Sequence, residues 1–98
     1  MEIESTIEAG KCKLKFSGEM NIYYAAEIRE AIQNTVDENE VIEVDLSLVT
    51  EIDTSGLQLL RAMYRSIQKH EKTLSYVKNE SDVDQIIKLC SLGEALGY

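Results

Sequence analysis

Ile3, Ser5 and Ile7 alternate with Glu2, Glu4, Thr6 and Glu8, and after a break at Ala9-Gly10 a second alternation sets Cys12, Leu14 and Phe16 against Lys11, Lys13 and Lys15. A period of two places successive side chains on opposite faces of a strand. The two runs therefore predict a β-hairpin. Past Gly18 the period lengthens, with Ala25, Ile28, Ile32 and Val36 three or four apart and Glu27, Arg29, Glu30 and Gln33 between them, which predicts an amphipathic helix. Asp37-Glu38-Asn39-Glu40 forms a polar break. The β-branched run Val41-Ile42-Glu43-Val44-Asp45-Leu46 then suits an interior strand.

Residues 47–52 read as a short connection, and Leu57, Leu60, Met63 or Tyr64, and Ile67 mark a second helical stripe that ends near His70. Thr73 to Val77 is short and β-prone. Val83, Ile86, Ile87 and Cys90 outline a third helix that Asn79 or Ser81 can cap. Leu92 and Leu96 keep the tail available for packing.

The resulting order, ββαβαβα, contains no proline, repeat or separating linker, and predicts one α/β sandwich domain spanning residues 1–98. Its four-stranded sheet is expected to be mixed and mostly parallel: the first strand is antiparallel through its hairpin, and the others are joined through helices by right-handed crossovers. Connections leaving parallel strands emerge at one carboxyl edge. Residues 18–24 and 47–56 should therefore meet there.

Composition narrows the function classes. The chain has 98 residues, 44% hydrophobic and 29% charged, as in a globular protein with a single core. Its net charge of −8 opposes binding to nucleic acid or to anionic lipid. No apolar run approaches the ~18 residues of a membrane span, and the acidic Met1-Glu2-Ile3-Glu4 start is unlike a signal peptide, so a cytoplasmic location without membrane insertion is expected. Lys11, Lys13 and Lys15 read as a solvated strand face. Cys12 and Cys90 show no metal-ligand spacing and read as two buried thiols, which form a disulfide only if the fold brings them together.

The segment with chemical content is Asp53-Thr54-Ser55-Gly56. Asp53 is a favoured N-cap residue for the second helix, and Ser55 then lies on the first turn, where unpaired amides and the helix dipole favour an added phosphate. Four residues alone describe no more than a capped helix start. Gly56 can admit a partner's backbone and can permit tight packing of helix on sheet, two compatible readings. Met20, Ile22, Tyr23 and Tyr24 precede the clean helical stripe, so some of them, Tyr23 or Tyr24 in particular, are expected to face outward as docking anchors.

Residues 45–60, Asp-Leu-Ser-Leu-Val-Thr-Glu-Ile-Asp-Thr-Ser-Gly-Leu-Gln-Leu-Leu, resemble the signature stretch of the STAS family, the bacterial anti-sigma factor antagonists and their relatives. Gly18-Glu19-Met20 and the helix after the signature fit the same pattern, so the resemblance covers nearly the whole chain. It implies the same sandwich fold and a serine phosphorylated by a partner kinase of the histidine-kinase-like ATPase type; the matching position is Ser55. It further implies an anti-sigma factor or serine kinase as binding partner, with a phosphatase to reverse the mark, and a docking surface of Met20, Asn21, Ile22, Tyr23, Tyr24, Asp53, Thr54, Ser55 and Gly56. Family members often carry Asp where this chain has Asn21. The stretch from Asn21 to Ile28 looks closer to STAS proteins of chemotaxis and other signalling clusters. The family also includes non-phosphorylated accessory subunits that bind other signalling proteins or the ATPase of a lipid transporter.

Catalysis has no visible machinery. The sole histidine, His70, lies fifteen residues beyond Ser55 on the same predicted helix, about 22 Å away at the α-helical rise, which excludes a Ser-His pair. His70 reads instead as a helix-terminal residue facing the negative end of the dipole. No phosphate-binding glycine loop, metal motif or cofactor motif is present.

Overall fold

The computed structural model describes residues 1–77, 81–89 and 93–98. Strands β1 (Glu2–Glu8) and β2 (Lys11–Met20) form the hairpin, turning at Ala9 and Gly10, both of which adopt positive φ. A single 3-10 turn, Ile22–Tyr24, leads into α1 (Ala25–Glu38). Strand β3 (Val41–Ile52), helix α2 (Thr54–Lys69), strand β4 (Thr73–Val77) and helices α3 (Asp82–Leu89) and α4 (Gly93–Leu96) complete the order.

The sheet runs β1-β2-β3-β4, with the first pair antiparallel and the next two parallel, as the mixed, mostly parallel pattern predicts. One face is apolar. Leu14, Phe16, Ile42, Val44, Leu46 and Tyr76 bury against Ile28, Ile32 and Val36 of α1, Leu60, Met63 and Ile67 of α2, and Val83 and Ile87 of α3. Between the two candidates for the α2 stripe, Met63 is the buried one and Tyr64 is half-buried. Ile7 stays exposed on the edge strand β1, as does Ile86 on α3.

The opposite face carries the lysine row. Lys11 Nζ lies 3.1 Å from Glu43 Oε2 and Lys13 Nζ lies 3.9 Å from Glu43 Oε1, while Lys15 stands opposite Asp45 in the ladder. Such pairs contribute at most about 1 kcal/mol each. Their chief effect is to neutralise a face that would otherwise be strongly charged.

The structure corrects one element. Residues 47–52 are not a connection; they extend β3, which holds two extra residues relative to β2, one between Asp45 and Leu48 and one between Val49 and Glu51. At the first irregularity Asp45 Oδ1 accepts the Ser47 amide at 2.8 Å. Each inserted residue reverses the in-out phase of the strand, so the buried positions fall at Leu46 and then Val49. Their spacing of three hides the strand from a period-two reading.

The C-terminal elements are tied down by tyrosines. Tyr76 Oη donates to the Leu96 carbonyl at 2.8 Å, and Tyr98 Oη donates to the buried Asp84 carboxylate, which also pairs with Lys88 Nζ at 3.0 Å. Ser81 Oγ accepts the Asp84 amide at 3.1 Å and caps α3. Asn79, the other candidate cap, lies outside the described residues, as do Cys90 and Leu92. Cys12 is buried with a free thiol. No helix among the described residues is long and apolar enough to cross a membrane.

Burial, reinforced by the neighbouring Tyr98 and Tyr64, pushes the Tyr76 hydroxyl well above its usual range; burial, then the hydrogen bond to Asp84, does the same for Tyr98. Both groups therefore hold their protons in the folded chain at a pH where the unfolded chain releases them. Their contribution to stability is complete below about pH 10 and declines as pH rises beyond it. Urea titrations between about pH 9 and pH 11 should show a falling midpoint, with a shallower fall in Tyr76→Phe; a midpoint independent of pH across this range in the unaltered chain would refute the assignment.

Candidate functional site

Strands β2 and β3 end together: Met20 stands opposite Ile52 and accepts the Asp53 amide at 3.2 Å through its carbonyl. Beyond this point the chains diverge, each into a helical turn. Asn21, in extended conformation, accepts the Tyr23 amide on Oδ1 at 3.0 Å. An Asx turn of this kind makes the sharp bend that starts the 3-10 turn. The second Asn21 polar atom, Nδ2, donates to Glu19 Oε2 at 3.3 Å.

Asp53 is the N-cap of α2. Its Oδ1 accepts the Gly56 amide at 3.0 Å, and its backbone carbonyl receives the Leu57 amide at 3.1 Å. The other carboxylate oxygen, Oδ2, accepts the Ile22 amide at 3.1 Å. A single side chain thus joins the start of α2 to the turn that follows β2, across 31 positions of sequence. The cap is legible from local residue preferences; the second bond has no local signature.

Gly56 is buried in the first turn of α2. A Cβ there would lie 2.8 Å from Ile52 Cγ1 and 2.8 Å from the Met20 carbonyl oxygen. The tight-packing reading is realised: the missing side chain lets α2 press onto the end of the sheet.

Met20 also needs correction as a docking residue, because its side chain is wholly buried beneath Gly56. β2 runs two residues past Gly18, so Met20 keeps the inward phase of Cys12, Leu14 and Phe16. Tyr24 is half-buried and packs against the core. Tyr23, 89% exposed, and Ile22, 63% exposed, are the outward pair. Their neighbours Glu19 and Glu51 are both exposed and stand opposite each other in the ladder, giving the edge an acidic rim.

Thr54, the first residue of α2, is exposed, and Ser55, the second, is half-buried. Ser55 opens onto a groove of about 440 Å³ between α1 and α2, whose walls include Ile22, Arg29, Gln58, Leu59 and Met63. Its hydroxyl makes no hydrogen bond to a described side chain or backbone group. The participation of Arg29 and Gln58 was not legible in the sequence, where Arg29 reads as a polar position of an amphipathic helix and Gln58 only as part of the signature stretch. His70 caps the opposite end of α2, so it cannot act on Ser55. Among the described residues no group of three His, Cys, Asp or Glu side chains could hold a metal ion.

A family model described as "Mlab, STAS domain" matches residues 4–97. No curated protein matches the sequence. Among solved structures, the chain is similar to an anti-sigma factor antagonist from Mycobacterium paratuberculosis at 25% identity and a TM-score of 0.82, covering 95% of this chain and 80% of that one. A candidate anti-sigma factor antagonist from Thermotoga maritima is similar at 20% identity and 0.82, covering 94% and 80%. The Bacillus cell fate determinant SpoIIAA in its phosphorylated form is similar at 14% and 0.72, covering 95% and 86%. The latter two likenesses bear on the fold alone.

Replacing Asp53 by Ala removes the acceptor of two backbone amides, and the expected loss is about 1–2 kcal/mol. This should be read as a lower urea midpoint together with faster amide exchange at Ile22 and Gly56. Unchanged exchange at Ile22 would mean that the Oδ2 contact is not maintained in solution.

Proposed function

The chain belongs to the STAS domain family, and from that premise we propose that it is a phosphorylation-controlled docking module of the anti-sigma factor antagonist type. The observation that carries this reading is the half-buried Ser55 on the first turn of α2, next to the exposed Ile22 and Tyr23. The names of the structural neighbours support the class of partner. The partner on this reading is an anti-sigma factor that is also a serine kinase of the histidine-kinase-like ATPase type, and a phosphatase restores the unmodified state. The setting is cytoplasmic, where the kinase finds its nucleotide, and the output is control of sigma-dependent transcription or a related signalling step.

In the unmodified state Tyr23 and Ile22 provide apolar contact, and Asn21, Asp53 and Thr54 complete the edge. Tyrosine is a favoured anchor because its ring buries a large area at little conformational cost. The acidic rim of Glu19 and Glu51 calls for a partner with basic residues around its binding pocket. In the modification step the Ser55 hydroxyl oxygen attacks the γ-phosphorus of a nucleoside triphosphate. The bond to the nucleoside diphosphate breaks, and the hydroxyl proton passes to a base on the kinase. Ser55 then carries roughly −1.5 to −2 charges beside an edge that is already anionic. Docking is lost through repulsion and through the cost of burying the phosphate.

This protein supplies the acceptor and performs no catalysis in this scheme. Ser55 has no histidine within reach on its helix, His70 lying at the far end of α2. Membership of the family is equally compatible with a second reading, a non-phosphorylated accessory subunit that binds another signalling protein or a lipid-transporter ATPase through the same edge. Phosphate on Ser55 in cells separates the two.

The Ser55→Ala chain is expected to bind the partner normally and to resist the kinase, whereas Ser55→Asp should bind at least about tenfold more weakly, a difference of some 1.4 kcal/mol. Titration calorimetry against the captured partner measures both, and equal affinities would exclude the switch. Tyr23→Ala should weaken the same binding by more than about 1 kcal/mol while leaving the urea midpoint unchanged, because the side chain is 89% exposed in the free chain. An unaltered affinity would remove Tyr23 from the interface.

A further inference from the structure

The groove beside Ser55 is lined by the apolar Ile32, Leu59 and Met63 and by two charged side chains of α1, Arg29 near its start and Asp37 two turns further on. Arg29 is exposed and makes no ion pair with any described residue. On a chain with a net charge of −8, a cation without a partner beside a candidate phosphoacceptor has a clear electrostatic use.

The geometry can be followed along both helices. α1 and α2 leave the same edge of two parallel strands and so run in the same direction. The Asp53 contact to the Ile22 amide holds the head of the 3-10 turn before α1 level with the start of α2. Ser55 lies two residues past Asp53 and Arg29 seven past Ile22, three of them in the 3-10 turn, which sets the Arg29 Cα roughly 7–9 Å deeper at helical rises of 1.5–2.0 Å per residue. Side chains on a helix lean back toward its N-terminus. That lean, with the length of an extended arginine, carries the guanidinium back along the groove toward Ser55. Packed helices lie about 8–10 Å apart, a gap that an arginine from one wall and a phosphoserine from the other can close together.

We propose that a phosphate on Ser55 is held in the mouth of this groove by the Arg29 guanidinium, so that modification closes the groove with an ion pair on the chain itself. This deepens the reading of Ser55 as phosphoacceptor and rests on it. Guanidinium is the suited cation, since it stays charged and its planar donor fork matches phosphate oxygens two at a time. The amides of the first turn of α2 add to the same field. The modified chain then differs from the free one in two respects: the edge is more anionic, and a partner can no longer use Arg29 or enter the groove.

The test uses the full chain with phosphoserine incorporated at position 55 during synthesis, so that no kinase is needed, and follows the phosphorus NMR signal against pH. The Asp53 cap and Asp37 in the same groove raise the second phosphate ionisation equally in every variant, so the difference between variants reads Arg29 alone. In Arg29→Gln this ionisation should lie about one pH unit higher than with Arg29, and in Arg29→Lys between the two, because a point charge replaces the fork. Superimposable titrations of the arginine and glutamine chains would overturn the proposal and leave the phosphate to the helix amides and water. The unmodified Arg29→Gln chain should keep the parent urea midpoint, while phosphorylation should raise the midpoint of the parent by more than that of the variant. Absence of phosphate from Ser55 in cells would end the functional reading without affecting this measurement, so the two failures are distinguishable.

Discussion

The Asp53 carboxylate sits at the junction on which the candidate site depends. Its two oxygens accept amides from different parts of the chain, Gly56 at the start of α2 and Ile22 after β2. Each amide belongs to the first turn of a helix, where backbone donors lack partners within the helix. One anion therefore satisfies two helix starts and sets them side by side. The position of Ser55, two residues on, and of Tyr23, one residue beyond Ile22, both follow from that pairing.

Packing reinforces the same junction from below. Gly56 rests on the Met20 carbonyl and Ile52 side chain at distances that admit no Cβ. Helix α2 is thereby brought closer to the sheet edge than any other residue type would allow. The double irregularity in β3 lets this strand stay paired with β2 as far as Ile52 while taking in two more residues. Both strands thus deliver their ends to the same level, although the apolar periodicity is interrupted on one of them.

Charge is unevenly distributed around this framework. On the open face of the sheet, Lys11 and Lys13 meet Glu43, and Lys15 stands across from Asp45, so that region is nearly balanced. At the edge, by contrast, Glu19 and Glu51 face each other, and the groove behind it holds Arg29 and, deeper, Asp37. A balanced face offers little to a charged partner, and an anionic edge with a cation just inside offers a great deal. The contrast explains why interest falls on one end of the molecule.

Residue order alone determined the elements whose physics is local. The hairpin follows from two alternations and Ala9-Gly10, the helices from their three-and-four spacing, the parallel sheet from strands joined through helices, and the α2 cap from Asp53 three residues ahead of the amide it accepts. Tertiary structure decided the rest. It placed Met20 inside, because β2 continues in phase beyond Gly18; it turned Tyr23 out and Tyr24 against the core; and it made residues 47–52 a strand, because pairing with β2 outweighs a broken alternation. It also supplied the Asp53 to Ile22 bond and set Arg29 and Ser55 on one groove. Those relations join residues more than twenty positions apart, and no local preference encodes a contact that exists only once the sheet has brought two helix starts together.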